Sequence, residues 1–548
     1  MKYSIYAYTE ELHDAVIAFF KKTFKDDGRK LELSKKDCDI ATIAESYMQQ
    51  GFFWCAVDNK KGHVLGTIAL RPIEDFWEIR RFFVLKNEQN KGLGQKLLET
   101  ALEYAINNKY TIIKAATLER GQAVQHIFEK NGFIPTKRFN NSTADIFYKL
   151  ILSSDYVYHF KLNKIKSTFY NSLILNPTEN IPIYDTKYDL SFMEGLYVSE
   201  RFKDVNDKVI FSGRNDFISF FEFIKDVWKE KLSAYDVDLK TLSGLNAHLI
   251  LFLCIIQKGE TVMLLPELCG GHFATEKILE SLGITVIEMC PDCQNKCVDI
   301  KKTMTLIEKK SPDYIFVDRS EGLNYEDFSW VTKFEKPYKI FDASQYFSQI
   351  IDGKYTSPFE MGFDMIITTL HKNYPGPQKG LIAVKKETEV WQRYLNNAKT
   401  YISNTHPMAI AKSLVPVIED EKFKEYSTTN IACSNKLEEL LKKYGLPIVP
   451  RDSNVPATLH IWILCETKEK SYEYYLKLEQ LGLLTNYRLL PYNLGFGLRI
   501  GTSAAVKSGL REKHIKELAA IMAEAYYNPI TNKLISRSRK LIKQIIEG

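Results

Sequence analysis

The sequence predicts an α/β protein made of two units in series. A small unit spans residues 1–152, and a larger one starts at residue 171, with a mixed, mostly parallel sheet covered by helices on both faces. Three observations predict this. A length of 548 residues exceeds what one core supports, since single cores stop growing near about 250–300 residues. Strand-like and helix-like segments alternate from the start, lose their period over 153–170, and then resume. From 171 the apolar segments are short and separated by helix-length stretches, the rhythm of a parallel sheet. The division read from this pattern is 1–152, a connector at 153–170, a large domain at 171–404 and a smaller α+β lobe at 405–548.

In the first unit the strands are YSIYAYT, FFWCAV, HVLGTIAL, EIRRFFVL, TIIKAAT and IFYKLIL, each with the alternation or short apolar run of a strand. The helices are ELHDAVIAFFKKTF, QKLLETALEYAINN and the segment around AVQHIFEKNGF, with apolar residues at helical spacing. In the second unit NAHLILFLCIIQKG leads into TVMLLP, and EKILESLG into ITVIEM; DYIFVD, YKIFDA and DMIITT follow. Beyond about residue 400 long amphipathic helices surround TLHIWILC and GFGLRIG.

Composition narrows the function classes. Hydrophobic residues make up 45% and charged residues 26%, the balance of a globular enzyme rather than a disordered chain. The net charge of +6, from 74 basic against 68 acidic residues, has no strong block, so neither nucleic acid nor a membrane surface is expected as a partner. The start MKYSIYAYTEEL carries acids where a signal peptide needs its apolar core, and LILFLCII falls short of the about 20 residues of a spanning helix. A cytoplasmic location follows as an expectation. Nine scattered cysteines argue against a disulfide framework. Cys290, Cys293 and Cys297 in CPDCQNKC lack a second close ligand pair, so we expect an exposed loop of reduced thiols and no metal.

After EIRRFFVL comes NEQNKGLGQKLLETAL, with Gln89, Gly92 and Gly94 forming QxxGxG at the mouth of a helix. Glycines there let successive N–H groups face one anion, and the helix end adds positive charge; such a pair is also a common turn. The strand, this loop and the later AVQHIFEKNGFIP together resemble the acyl-CoA-binding core of the GNAT N-acetyltransferase superfamily over residues 1–150. The resemblance implies acetyl-CoA as co-substrate. The main chain of Phe83, Val84 and Leu85 would meet the pantetheine arm, and Gln89, Asn90, Lys91, Gly92, Leu93, Gly94 and Gln95 the pyrophosphate. Two departures stand out: Phe128 occupies the family's tyrosine general-acid position, and Gly121 that of an asparagine. Glu78 on the preceding strand is a candidate base.

The stretch TTLHKNYPGP closes the apolar run FDMII with a histidine and a lysine. A lysine at a strand end is either a solvated cap or a buried amine whose ammonium form is disfavoured, which makes it nucleophilic toward aldehydes. The rest of an aldehyde-cofactor site is present in the same region. Pyridoxal phosphate needs an acid at its ring nitrogen, a flat group over its ring, donors for its phosphate and an arginine for the substrate carboxylate. Asp342 in YKIFDASQ, His272 in LCGGHFATE, Ser243 and Gly244 in TLSGLNAHL, and Arg499 in GLRIGTSAAVKSGL offer them in turn.

That order of motifs resembles the serine hydroxymethyltransferase family of fold-type I pyridoxal phosphate enzymes over residues 171–528. By the resemblance Lys372 carries the cofactor covalently, Glu179 in LNPTENIP handles the substrate hydroxyl as acid and base, His272 stacks on the ring, and Arg499 holds the substrate carboxylate. Ser243, Gly244, Asp342, Gln345, Thr369 and His371 join Lys372 and His272 around pyridoxal 5′-phosphate. Departures again occur. Gln345 replaces a histidine near the cofactor's phenolic oxygen, Pro375 and Gln378 stand where an arginine is usual, Ile183 replaces a serine, and the tyrosine pair is not reproduced around 194–202. Such changes spare cofactor chemistry more than folate recognition.

The expected function is therefore bifunctional. The large unit would run aldol and retro-aldol chemistry at Cα of glycine-, serine- and threonine-type amino acids with aldehydes as partners, and the small one would transfer an acetyl group from acetyl-CoA. Two alternatives stay open from sequence: cleavage of another Cα bond (decarboxylase, racemase or aminotransferase), and an inactive scaffold carrying the acyltransferase. The family resemblance also implies a homodimer.

Overall fold

The computed structural model describes residues 3–49, 51–180, 189–199, 214–418 and 420–548. Two compact units divide at Tyr170/Asn171. Ile183 and residues 200–202 lie outside the described residues.

The first unit is a seven-stranded sheet. In chain order its strands are β1 (Tyr3–Ala7), β2 (Phe52–Asp58), β3 (Val64–Ile73), β4 (Phe76–Val84), β5 (Ile112–Thr117), β6 (Ile134–Pro135) and β7 (Ile146–Ile151), and in space β1-β2-β3-β4-β5-β7-β6. All neighbours are antiparallel except β4 and β5. Those two pair only at Trp77↔Ile113, Glu78↔Lys114 and Ile79↔Ala115. β4 continues to Val84 without β5, and a register shift with β3 falls between Thr67 and Ala69. Arg81 takes φ 48° at that bulge, and bulges bend a strand out of its ladder. The two strands therefore part like a fork above Ile79. The helices His13–Asp26 and Leu93–Asn107 bury Phe19, Phe20, Phe24, Leu97, Leu98 and Leu102 in the core of this unit.

Residues 154–170, read from sequence as a connector without a period, form a helix, Ser154–Tyr170, that clusters with the first unit. It buries no residue fully, which explains why no apolar stripe announced it.

The second unit opens with β8 (Leu173–Ile174) and contains a seven-stranded sheet: β9 (Asp236–Asp238), β10 (Thr261–Leu264), β11 (Thr285–Glu288), then, after the small hairpin β12 (Pro291–Asp292) and β13 (Cys297–Val298), β14 (Tyr314–Val317), β15 (Tyr338–Asp342), β16 (Met365–Thr369) and β17 (Gly380–Val384). The spatial order is β11-β10-β14-β15-β16-β17-β9. Every pair is parallel except the two that β17 makes with its neighbours. The strands β14, β16 and β17 are fully buried along their length, as sheets covered on both faces require.

Past residue 460, β18 (Ile461–Leu464), β19 (Leu483–Leu484), β20 (Asn486–Leu490) and β21 (Gly495–Ile500) follow. An antiparallel sheet β18-β21-β20 packs with helices that include Asp420–Lys443, Lys468–Gln480 and Glu512–Tyr527. β8 pairs parallel with β19, which carries residues 175–180 alongside β20. The hairpin β12–β13 corrects a smaller expectation: Cys290, Cys293 and Cys297 are half-buried free thiols rather than an exposed loop.

Candidate active site

In a parallel sheet the strand carboxyl ends open toward one edge, where loops and helix N-termini gather. Nearly every sequence-nominated residue of the second unit lies there. Asp342 ends β15 and Thr369 ends β16, with His371 and Lys372 just beyond; His272 follows β10, and Ser243 and Gly244 follow β9.

Ser243 is the N-cap of the helix Gly244–Ile255, with extended backbone, and its hydroxyl accepts from the Asn246 N–H. A Cβ on Gly244 would stand 3.1 Å from Thr369 Cβ and 3.6 Å from Ser344 Oγ. The missing side chain is thus what brings this helix N-terminus against the end of β16. Ser344 Oγ accepts from Thr369 N–H at 3.0 Å, and Thr369 Oγ1 lies 2.8 Å from His371 Nδ1.

One turn into the same helix, His248 Nε2 reaches Asp342 Oδ2 at 2.8 Å, while Asp342 Oδ1 accepts from Ser344 N–H at 2.8 Å. Burial pushes the Asp342 carboxyl up, but the His248 hydrogen bond and charge, the Lys372 charge and Ser344 outweigh it and hold the pKa down to about 2. Asp342 is an ionised carboxylate inside the protein.

Burial lowers the Lys372 amine, the Arg499 guanidinium lowers it further, and Asp342 and Asp318 act in the opposite direction. Lys372 is therefore a half-buried amine within the fields of Asp342 and Arg499. His272 is pushed down to about 4, by burial first and then by His248 and Lys372. Its Nδ1 accepts from Ala274 N–H at 3.3 Å, so the neutral ring carries its proton on Nε2. The ring stands edge-on to His248 at 6.2 Å. His371 is likewise lowered to about 4 by burial and then Lys372.

Arg499 on β21 is 1% exposed. Its Nη1 donates to Ser320 O at 3.2 Å and stands 3.7 Å from Glu321 Oε1, and its Nε and Nη2 have no partner among the described residues. Arg488, two residues past Asn486 on β20, pairs with the same Glu321 oxygen. Since Asn486 lies opposite Arg499, period-2 alternation puts Arg488 on that face too. Gln345 Oε1 meets His460 Nε2 at 3.1 Å, and the Gln345 amide nitrogen is buried without a partner among the described residues. Glu179 accepts from Asn176 Nδ2 at 3.1 Å, and Asn176 Oδ1 accepts from Asn486 Nδ2 at 2.9 Å. Asn180 Nδ2 donates to Asn373 O at 3.4 Å, so the Glu179 segment is tied to both the lysine loop and the arginine sheet.

Sequence reasoning missed His248, Asp318, Glu321, Arg488 and His460. Asp318 follows DYIFV as Asp342 closes YKIFD, a repeated strand-end pattern that could have flagged it. It is fully buried, burial raises its pKa well above the usual range, and Thr275 donates to its Oδ2. The other four carried no local signal.

In the first unit, Phe83 and Val84 pair with Thr67 and Gly66 on β3, while their β5-side edge is open. Asn90 (φ 57°) and Gly92 (φ 81°) turn the chain into the helix Leu93–Asn107, a conformation in which successive N–H groups face a common anion. Nothing lies within 4 Å of a Cβ on Gly92, whereas one on Gly94 would approach Ile127 Cδ1 to 3.0 Å. Gln89 and Gln95 spend their side chains inside the protein, on Val84 O and on Glu99 and Asn131, and Lys91 bonds Asn87 O. The main chain is what this loop presents. Phe128 is buried against Phe133 and Tyr148. Glu78, the candidate base, is buried and bonded to Arg71 and Asn140.

The family model "Serine hydroxymethyltransferase" covers residues 211–522, more than half of the chain. The chain belongs to the serine hydroxymethyltransferase family. The "Acetyltransferase (GNAT) family" model matches residues 5–133, so this family member carries an acetyltransferase-family domain ahead of its transferase unit. Serine hydroxymethyltransferase of Pyrobaculum islandicum is 25% identical over 335 residues, 58% of this chain and 77% of that one. That of Saccharolobus islandicus is 27% identical over 314 residues, 54% and 71% of the two chains. Among solved structures, an L-threonine transaldolase from Pseudomonas fluorescens superposes with TM-score 0.66 at 20% identity, covering 71% of this chain and 91% of that one. The second unit of this serine hydroxymethyltransferase relative thus has a fold-type I architecture. Among the described residues no helix is long and apolar enough to cross a membrane.

Proposed function

We propose that residues 171–548 hold pyridoxal 5′-phosphate and run aldol and retro-aldol chemistry at Cα of glycine-, serine- and threonine-type amino acids, while residues 1–152 transfer an acyl group from acetyl-CoA to an amine. In this reading 171–404 holds the cofactor and 405–548 supplies the carboxylate arginine. The partners are small molecules, and the chain works as a cytoplasmic homodimer.

The observation that carries the reading is the pair between Asp342 at the end of β15 and His248 on the helix whose N-terminus is Ser243–Gly244, with the half-buried Lys372 amine in its field. The buried polar atoms fit the cofactor and its substrate. Gln345 Nε2 is a free donor for a phenolic oxygen, and Arg499 Nε and Nη2 form an empty fork of the shape that takes a carboxylate. When bound, the cofactor supplies an electron sink for the bond that breaks at Cα.

The chain's own residues do the rest. Ser243 and the N–H groups after it hold the phosphate. Asp342, kept ionised by His248, holds a proton on the ring nitrogen. His272, neutral at physiological pH, covers the ring without adding charge. Lys372 would hold the cofactor through its aldehyde group. Arg499 would fix the substrate carboxylate through its free Nε and Nη2 donors and so orient the bonds at Cα. Glu179 removes the β-hydroxyl proton as Cα–Cβ breaks and returns it in the addition direction.

The test is a titration of the full chain with pyridoxal 5′-phosphate, followed by L-threonine or L-serine with an aldehyde assay. Visible absorbance that Lys372→Ala removes, together with aldehyde release, is expected. A coloured enzyme yielding carbon dioxide, D-amino acid or keto acid instead would transfer the site to another Cα bond, and a colourless one would leave the unit a scaffold.

A further inference from the structure

We propose that the acceptor of the first unit is an α-amino acid, recognised through its free carboxylate at the fork between β4 and β5. The inference rests on the acyl-transfer reading and names the acceptor class for that site.

Arg71, Glu78 and Lys114 are direct partners across β3, β4 and β5, so their side chains project from one face in a row. Arg80, two residues along β4, joins them. Glu78–Lys114 is the last rung but one before the strands part at Ile79/Ala115. An acyl chain lying along the open edge of Phe83–Leu85 would therefore bring its carbonyl to this row.

The row is strongly unbalanced in charge. Arg71 Nη2 lies 2.9 Å and Arg80 Nη1 3.6 Å from the Glu78 carboxylate, which also accepts from Asn140 Nδ2 at 2.5 Å. Lys114 Nζ stands over the rings of Phe76 and Phe139, 3.9 and 5.3 Å from their centroids. Two guanidiniums thus share the Glu78 carboxylate with Lys114 beside them in the row, and Arg80 also lies in the field of Asp39. Arg71 Nε is buried with no partner among the described residues, a donor beside the Arg71–Glu78 contact that an anion would satisfy. Glu78 itself is 2% exposed, while the side chains of Arg71 and Arg80 are 34% and 27% exposed, so a solute can reach the cationic rim above the carboxylate.

A plain amine arrives as a cation and meets net positive charge. A zwitterion brings its own compensating anion: the carboxylate engages Arg71, Arg80 and Lys114, and the ammonium next to it reaches Glu78. One carbon, Cα, separates these groups in an α-amino acid, a spacing that suits an anion and a cation handled by adjacent side chains. In the reaction Glu78 takes one ammonium proton and the nitrogen lone pair forms the C–N bond. The C–S pair leaves on sulfur, and the second nitrogen proton ends on that sulfur, giving the N-acyl amino acid and free thiol. Glu78 returns its proton to water.

The test uses the full chain with acetyl-CoA and matched acceptors: free amino acids, their carboxamides, and the corresponding amines without the carboxylate. A kcat/KM at least about tenfold higher for the free acids is expected, the size of one charge-assisted hydrogen bond. Arg71→Met and Arg80→Met should erase that preference while acetyl-CoA binding by calorimetry is unchanged, and Arg71→Lys should restore part of it. Carboxamides or amines acylated as fast as the free acids would overturn the proposal, as would a preference surviving both substitutions, or acetyl-CoA binding with no acceptor acylated. Failure of acetyl-CoA to bind at all would instead overturn the acyl-transfer reading. The wild-type comparison decides the matter even if a variant fails to fold.

Discussion

His248 Nε2 lies 2.8 Å from Asp342 Oδ2, a bond between a helix and a strand end 94 residues apart. The histidine does more than fill space: its hydrogen bond and charge hold a largely enclosed carboxylate ionised against desolvation. Asp342→Asn keeps the shape and removes the charge. Cofactor binding by absorbance titration should weaken, and aldehyde release should fall by at least about 100-fold, the scale of losing one preorganised charge. His248→Phe should give a smaller loss in the same direction.

Arg499 offers two unpaired donors in a plane. Arg499→Lys retains the positive charge but cannot make two parallel bonds. KM for the amino acid should rise by about 10- to 100-fold, the worth of one charged hydrogen bond, measured by initial rates over an amino-acid series.

Arg488 and Arg499 share the single carboxylate of Glu321. Two guanidiniums against one built-in carboxylate leave a net charge of one for a ligand, which suits a monocarboxylate. Glu321→Gln removes that anion and should shift kcat/KM toward dicarboxylic amino acids relative to threonine. Unchanged relative values in a competition assay would refute the charge argument.

Glu179 is tethered only through Asn176 and Asn486 among the contacts described. Glu179→Gln should lower aldehyde release from threonine by about 10²- to 10⁴-fold, the usual span of general acid–base catalysis. Exchange of glycine α-protons, followed by NMR in deuterated buffer, needs no hydroxyl proton and should survive.

His272 and His371 are both held near pKa about 4 in the folded chain against an ordinary 6.5, by burial and then neighbouring charge. The unfolded chain therefore binds more protons between those values, so stability is fully present above about pH 6.5 and is lost as pH falls toward 4. The thermal midpoint of the cofactor-free chain should drop across that window. The double variant His272→Phe, His371→Gln should flatten the drop.

Much of this was legible locally. Lys372, Asp342, Ser243–Gly244 and Arg499 lie in contiguous motifs that end strands or begin helices, and such positions face the carboxyl edge of a parallel sheet. The QxxGxG turn likewise announced a helix entrance, because positive φ at residue 92 calls for glycine. Residues 154–170 were missed as a helix since none of their side chains is fully buried, so no apolar stripe marks them.

By itself, the sequence determined the order of the elements, the strand ends where chemistry could sit, and the residue types present there. Tertiary structure alone decided that His248 ionises Asp342, that Glu321 stands between two arginines, and that Arg71, Glu78, Arg80 and Lys114 gather where β4 leaves β5. The physical reason is that a charge acquires its meaning from burial and from partners within a few ångströms, and those partners come from segments far apart along the chain.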